Sequence, residues 1–199
     1  MPFEIVHIST EDLVRSYVGR YKEFRLLSLQ IAPEAFASKY AREVEASDEV
    51  WYQRLANPNA ATFFALHASK IVGTVTILGP LPDDYEPDDL GNPWQAMDNE
   101  PKSKRTTGHH RINGMFTLPE VRGRGVGRGL IEAAFRYARG EVAMQGKAFL
   151  CSVVVESDNI PARSLYEKCS LVPFKEVPDG KSNVTLMKYQ VENLNLQIV

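Results

Sequence analysis

The sequence predicts an α/β fold, a mixed and twisted β-sheet of about six or seven strands flanked by about four helices. Three observations carry this reading. β-Branched and aromatic runs recur along the chain. Apolar residues at helical spacing fall between them. The longest apolar stretch, Phe149–Val155, is short and bounded by polar turns, which suits a central strand covered on both faces. With 199 residues, 44% apolar and 24% charged, the chain is expected to form one ordinary globular domain over 1–199.

Phe3–Ile8 reads as the first strand. Ser9-Thr10-Glu11-Asp12 is a helix-start signal, a hydroxyl cap followed by acids. Leu13, Tyr17, Tyr21, Phe24, Leu27 and Ile31 then recur at steps of three or four and predict one buried helix face. Pro33 suits the first position of a second helix lined by Phe36, Tyr40 and Val44. Ser47 is placed to cap a third, through Trp51 and Leu55, that ends at Asn57-Pro58-Asn59. Thr62–Ala68 and Ile71–Leu78 read as a hairpin turning at Ser69-Lys70.

The composition then changes. Five of the twelve prolines fall within 80–101, and residues 81–100 hold seven acids without a Lys or Arg. Segment 80–108 reads as a long irregular insertion. His110–Leu118 returns to a strand pattern. It is followed by Arg122-Gly123-Arg124-Gly125-Val126-Gly127-Arg128 and a helix carrying Val126, Leu130, Ala134, Ala138 and Val142. After Phe149–Val155 come a helix from Asn159 to about Cys169 and two closing strands, Leu171–Val177 and Val184–Tyr189, with a tail at 190–199.

Charge and cysteine content exclude several functions. Lys and Arg number 23 against 25 Asp and Glu, a net charge of −2, so no global basic field draws the chain to nucleic acid or anionic membrane. Two cysteines, Cys151 and Cys169, cannot build a disulfide framework or a four-thiolate zinc site. The N-terminal residues show no secretory pattern and no stretch approaches a membrane span, so a cytoplasmic location is expected.

The strand–RGRGVGR–helix segment carries the chemistry. Glycines let a ligand approach the backbone, unpaired N–H groups converge at the start of the helix, and the helix dipole adds positive character there. That combination binds phosphate-like anions, and Arg122, Arg124 and Arg128 add charge. The glycines lie too late in the chain for a dinucleotide fingerprint, and the Gly-Lys-Ser/Thr of a nucleoside-triphosphate loop is absent.

Arg122-x-x-Gly125-x-Gly127 resembles the acetyl-CoA pyrophosphate loop of the GCN5-related N-acetyltransferase (GNAT) superfamily. Asn159-x-x-Ala162-x-x-x-Tyr166, on the helix after the apolar strand, resembles that family's second signature, and the element order fits nearly the whole chain. The insertion at 80–108 is the main departure. The resemblance implies a V-shaped splay between the fourth and fifth strands. It implies backbone pairing of the pantetheine arm at Phe116, Thr117 and Leu118, and N–H groups across Gly123, Arg124, Gly125, Val126, Gly127 and Arg128 on the pyrophosphate. Asn159 would meet the pantetheine amides, and Tyr166 would stand by the thioester sulfur.

The implied reaction is direct attack of a primary amine on acetyl-CoA, the co-substrate, in a ternary complex with no metal. Tyr166 would protonate the departing thiolate, and a base must first deprotonate the amine. The strand before the loop has no acid. Its titratable candidate is His110, expected to share a face with Ile112, Gly114 and Phe116, and a water chain to a carboxylate such as Glu34 is the alternative. Seven acids in the insertion favour a cationic acceptor: a small-molecule amine ahead of a peptide amine. The rival reading is a catalytically silent CoA-binding module. The chain is expected to be a monomer or a homodimer.

Overall fold

The computed structural model describes residues 2–82, 107–180 and 182–190. Most of the insertion and the tail lie outside the described residues. The chain forms two compact units. One comprises Met1–Leu78 with Ile112–Arg136, the other Gly79–Arg111 with Tyr137–Val199.

The first unit opens with β1 (Glu4–His7) and α1 (Glu11–Ile31). Thr10 caps α1, its Oγ1 accepting from the Leu13 N–H at 3.3 Å, and Glu11 and Asp12 fill the first turn, where the dipole favours acids. The buried face runs through Val14, Phe24, Ser28 and Leu29. Leu27 and Ile31 remain 42% and 41% exposed, contrary to the sequence expectation. At 100° per residue Leu27 lies about 120° round the helix from Tyr21, on the flank of the true stripe.

Pro33 opens only a single 3-10 turn, Pro33–Ala35, rather than a full helix. Phe36 is extended, with φ −137° and ψ 137°, and its ring lies 5.9 Å from that of Phe116. Tertiary packing has drawn that residue out of the helix. One helical turn, α2 (Tyr40–Glu43), follows. Then comes α3 (Asp48–Leu55), capped by Ser47 as the sequence implied.

Strands β2 (Ala60–His67) and β3 (Lys70–Leu78) form the expected hairpin one residue early. Ala68 and Ser69 occupy its turn with φ of 48° and 65°, the left-handed pair that Asn-Gly usually supplies. β1 pairs antiparallel with β2. The core joins Phe24 of α1, Phe64 of β2, Ile71 of β3 and Phe116.

β4 (Thr107–Thr117) and α4 (Val126–Met144) each contribute to both units. In the second unit, Thr107–Arg111 pairs in parallel with Ala148–Ser152 of β5 (Ala148–Glu156). The paired residues run from Thr107–Ala148 to Arg111–Ser152, and β5 itself continues to Glu156. β5 pairs antiparallel with β7 (Ser182–Gln190), and β7 with β6 (Val172–Asp179), so β5 is central as its apolar run implied. α5 (Ile160–Lys168) links β5 to β6. The sheet is therefore mixed. Among the described residues no helix is long and apolar enough to cross a membrane.

Candidate active site

The Gly/Arg loop, expected to be an anion cradle, belongs to the first unit. Gly123 and Gly125 have φ of 72° and 81°, conformations that side-chain-bearing residues rarely adopt, and a Cβ at either would meet nothing within 4 Å. The loop's outer face is therefore open and its glycines are needed for backbone shape. The first intrahelical bond of α4 runs from the Gly129 N–H to the Gly125 carbonyl at 2.9 Å. Gly125 is thus the cap, and the N–H groups of Val126 and Gly127, in the first turn, lie beyond the reach of the helix's own carbonyls. Val126 is buried and pins the turn, while Arg122, Arg124 and Arg128 are exposed.

Arg122 ties this loop to β4. Its Nε donates to the Thr117 carbonyl at 3.3 Å, and its guanidinium lies 5.7 Å from the Phe116 ring centre. Arg128 Nε donates to Glu132 at 2.7 Å along the helix surface.

The strand edge differs from the sequence expectation. The Leu118 N–H donates to the Val72 carbonyl at 2.9 Å, so this amide is already paired with β3. Backbone groups alternate edges along a strand, which turns Phe116 toward β3 as well. Thr117 and, by the same alternation, Met115 present their groups on the opposite edge. Counting by twos from the β3 partner puts Met115 on the same edge as Thr117, a position the sequence reading did not single out.

The alternation of side chains also changes phase within β4. In the second unit, a Cβ on Gly108 would strike Val142 of α4, and His110 Nε2 lies 3.4 Å from Glu141 Oε2 of the same helix. In the first unit it is Thr117, not Phe116, that shares a side with Leu130 of α4, both meeting the Cβ position of Gly73. Phe116 faces Phe24 and Phe36 instead. The expectation that His110 shares a face with Phe116 is therefore not met. Gly114, with φ of 58°, stands between the two registers and breaks the two-residue period.

His110 is enclosed. Its side chain is 1% exposed and packs 5.7 Å from the Phe149 ring, and Glu141 also accepts from the Tyr137 hydroxyl at 2.8 Å. Burial holds the imidazole pKa below its ordinary value, against the upward pull of Glu141. Burial together with Glu141 pushes Tyr137 up to about 12. A base must come within hydrogen-bond reach of the proton it takes. His110 offers an incoming amine no open ring surface. His109 is buried too, its Nε2 2.7 Å from Ser152 Oγ.

Asn159 caps α5, its Oδ1 accepting from the Ala162 N–H at 3.2 Å, and the cap makes no use of the two donors on Nδ2. Tyr166 is 5% exposed, and burial, reinforced by Cys151 and Cys169, raises its pKa well above the ordinary value. Its phenol keeps its proton at every working pH. The second unit thus brings His110, Asn159 and Tyr166 into one compact body, and the first gathers Phe116, Thr117, Leu118 and the loop Arg122–Arg128.

The sequence profile of the acetyltransferase (GNAT) family matches residues 28–170. The chain belongs to this family. As an acyltransferase it has solved structural neighbours along its whole length. NAA60 of Arabidopsis thaliana, in complex with acetyl-CoA, superposes with a TM-score of 0.65 at 17% identity, covering 96% of this chain and 99% of that one. A GNAT-family acetyltransferase from Streptococcus pneumoniae gives 0.66 at 17% identity, covering 95% and 100%. The ribosomal-protein-S18-alanine N-acetyltransferase of Escherichia coli gives 0.56 at 13% identity, covering 100% and 99%. No curated protein matches the sequence. In this acetyltransferase the loop at the start of α4 combines positive helix-end character with three exposed arginines, Arg122, Arg124 and Arg128.

Proposed function

We propose that this acetyltransferase, acting through residues 1–199 as one catalytic domain, moves the acetyl group of acetyl-CoA to the primary amine of a small molecule in a ternary complex. The cradle at the start of α4 is the observation that carries the reading, because its positive-φ glycines keep the turn open among the described residues and the first turn of the helix presents N–H groups that suit an anion. Met115 and Thr117 pair the pantetheine arm, and Gly123–Arg128 hold the pyrophosphate. Nδ2 of Asn159 donates to a pantetheine carbonyl.

The amine attacks the thioester carbonyl, and the carbon–sulfur bond breaks as the amide bond forms. The high pKa of Tyr166 makes it a persistent donor, so its hydroxyl supports the departing sulfur. His110 does not touch the amine in this scheme. Its burial beside Glu141 supports a place behind β4, and the amine proton passes to water leading to an exposed carboxylate such as Glu34. The acids of the insertion steer a cationic acceptor.

The test is a thiol-release assay with acetyl-CoA and a panel of polyamines, amino acids and short peptides. Transfer to small amines at higher kcat/KM than to peptides supports the reading. Preference for peptide N-termini moves the acceptor to protein. Acetyl-CoA binding without transfer to any amine favours the silent CoA-binding module. Deleting residues 82–100 is expected to raise KM for the cationic amines, and unchanged kinetics contradict the steering.

A further inference from the structure

One cation in the first unit is left over. Glu43 of α2 is buried, 7% exposed, and is ion-paired with Arg54 of α3, whose guanidinium also lies over the Trp51 ring. Arg25 of α1 faces the same cluster, yet its Nη1 is buried and has no hydrogen-bond partner among the described residues. Two guanidinium groups around one carboxylate leave a surplus positive charge. A buried donor without an acceptor is uncommon and unfavourable.

Arg25 is also held in a fixed place. Its guanidinium stacks 4.2 Å from the centre of the Phe36 ring, and that ring meets Phe116 at 5.9 Å. Phe24, one residue earlier, meets Phe116 at the same distance. The charge therefore stands one aromatic ring away from β4, beside the strand to which the acetyl-CoA arm is assigned. Arg25 is of intermediate burial as a whole residue, although its Nη1 is covered. A planar guanidinium fixed by stacking is preorganised for a carboxylate rather than a diffuse anion.

We infer that Arg25 is a specificity residue for the acceptor: given the amine acetylation proposed above, its guanidinium binds a carboxylate on the same molecule, so the acceptor class is amino-acid-like. The carboxylate neutralises the surplus charge, and the amine lies toward Phe116.

The test uses the full chain with a panel of amino acids, each beside its methyl ester and its decarboxylated amine. Wild-type protein is expected to prefer the free acid by about 30-fold or more in kcat/KM. Arg25→Gln is expected to bring that ratio near unity, mainly through KM, while leaving acetyl-CoA affinity unchanged. Arg25→Lys is expected to restore part of the preference. Esters turned over as well as acids by the wild type overturn the assignment without any variant needing to fold, as does a preference that survives Arg25→Gln. Wild-type protein that transfers acetyl groups to none of the panel contradicts the acceptor reading itself and Arg25 with it, and acetyl-CoA binding measured alongside shows whether the cofactor half stands.

Discussion

Asn159 Oδ1 accepts from the Ala162 N–H at 3.2 Å, so the cap uses the oxygen of this amide and the proposed ligand role uses its nitrogen. The two tasks separate by substitution. Asn159→Asp keeps the cap and removes both Nδ2 donors, so it is expected to hold stability while weakening acetyl-CoA binding by about tenfold. Asn159→Ala is expected to lose both, with about 1 kcal/mol of stability from the cap. Calorimetric titration beside urea unfolding checks the pair, and equal acetyl-CoA affinity in Asn159→Asp and wild type removes the ligand role.

Gly125→Glu is expected to weaken acetyl-CoA binding more than tenfold. The backbone at φ 81° disfavours any side chain, and a carboxylate there repels the pyrophosphate. Direct titration with acetyl-CoA is the measurement, and unaltered affinity places the pyrophosphate elsewhere.

Tyr166→Phe is expected to lower kcat by about 100-fold with little change in acetyl-CoA affinity. The raised pKa of Tyr166 adds a second expectation, that no alkaline loss of activity traces to this phenol below about pH 10. Wild-type turnover in the variant excludes the hydroxyl as donor.

Much of this was legible in the sequence, and the misses have local causes. The caps at Thr10, Ser47 and Asn159 were readable because a short polar side chain meets its own helix within three residues. The cradle was readable because its glycines answer to backbone shape alone. Leu27 and Ile31 were misplaced because steps of three and four fit more than one stripe of a long helix. Phe36 left its helix for a ring partner eighty residues away in sequence, Phe116. The phase change at Gly114 was hidden because a strand pattern assumes an unbroken period of two, and that error set His110 on the wrong face. Arg25 carries no motif, and its surplus charge emerges only when Glu43 is seen paired with Arg54.

His110 gives a pH dependence of stability. Burial lowers its folded-state pKa below the ordinary value of 6.5, so in acid the unfolded chain binds a proton that the folded chain resists. Stability is expected to be level above about pH 7 and to fall as the pH drops below about 6.5. His110→Gln is expected to flatten that part of the slope. Urea midpoints at about pH 5.5 and 7.5 for both proteins measure it, and identical slopes contradict the assignment.

The most direct measurement is thermal unfolding of the full chain with acetyl-CoA, and with CoA, ATP and NAD as comparisons. Ligand at about 100 times its dissociation constant adds about 2.7 kcal/mol. For a chain of this size that raises the midpoint by roughly 5–10 °C. A rise of that order with acetyl-CoA and CoA, and not with ATP or NAD, is the expected result. A folded protein whose midpoint moves with no CoA species, or moves equally with all four, contradicts the cradle at the start of α4 as an acetyl-CoA site.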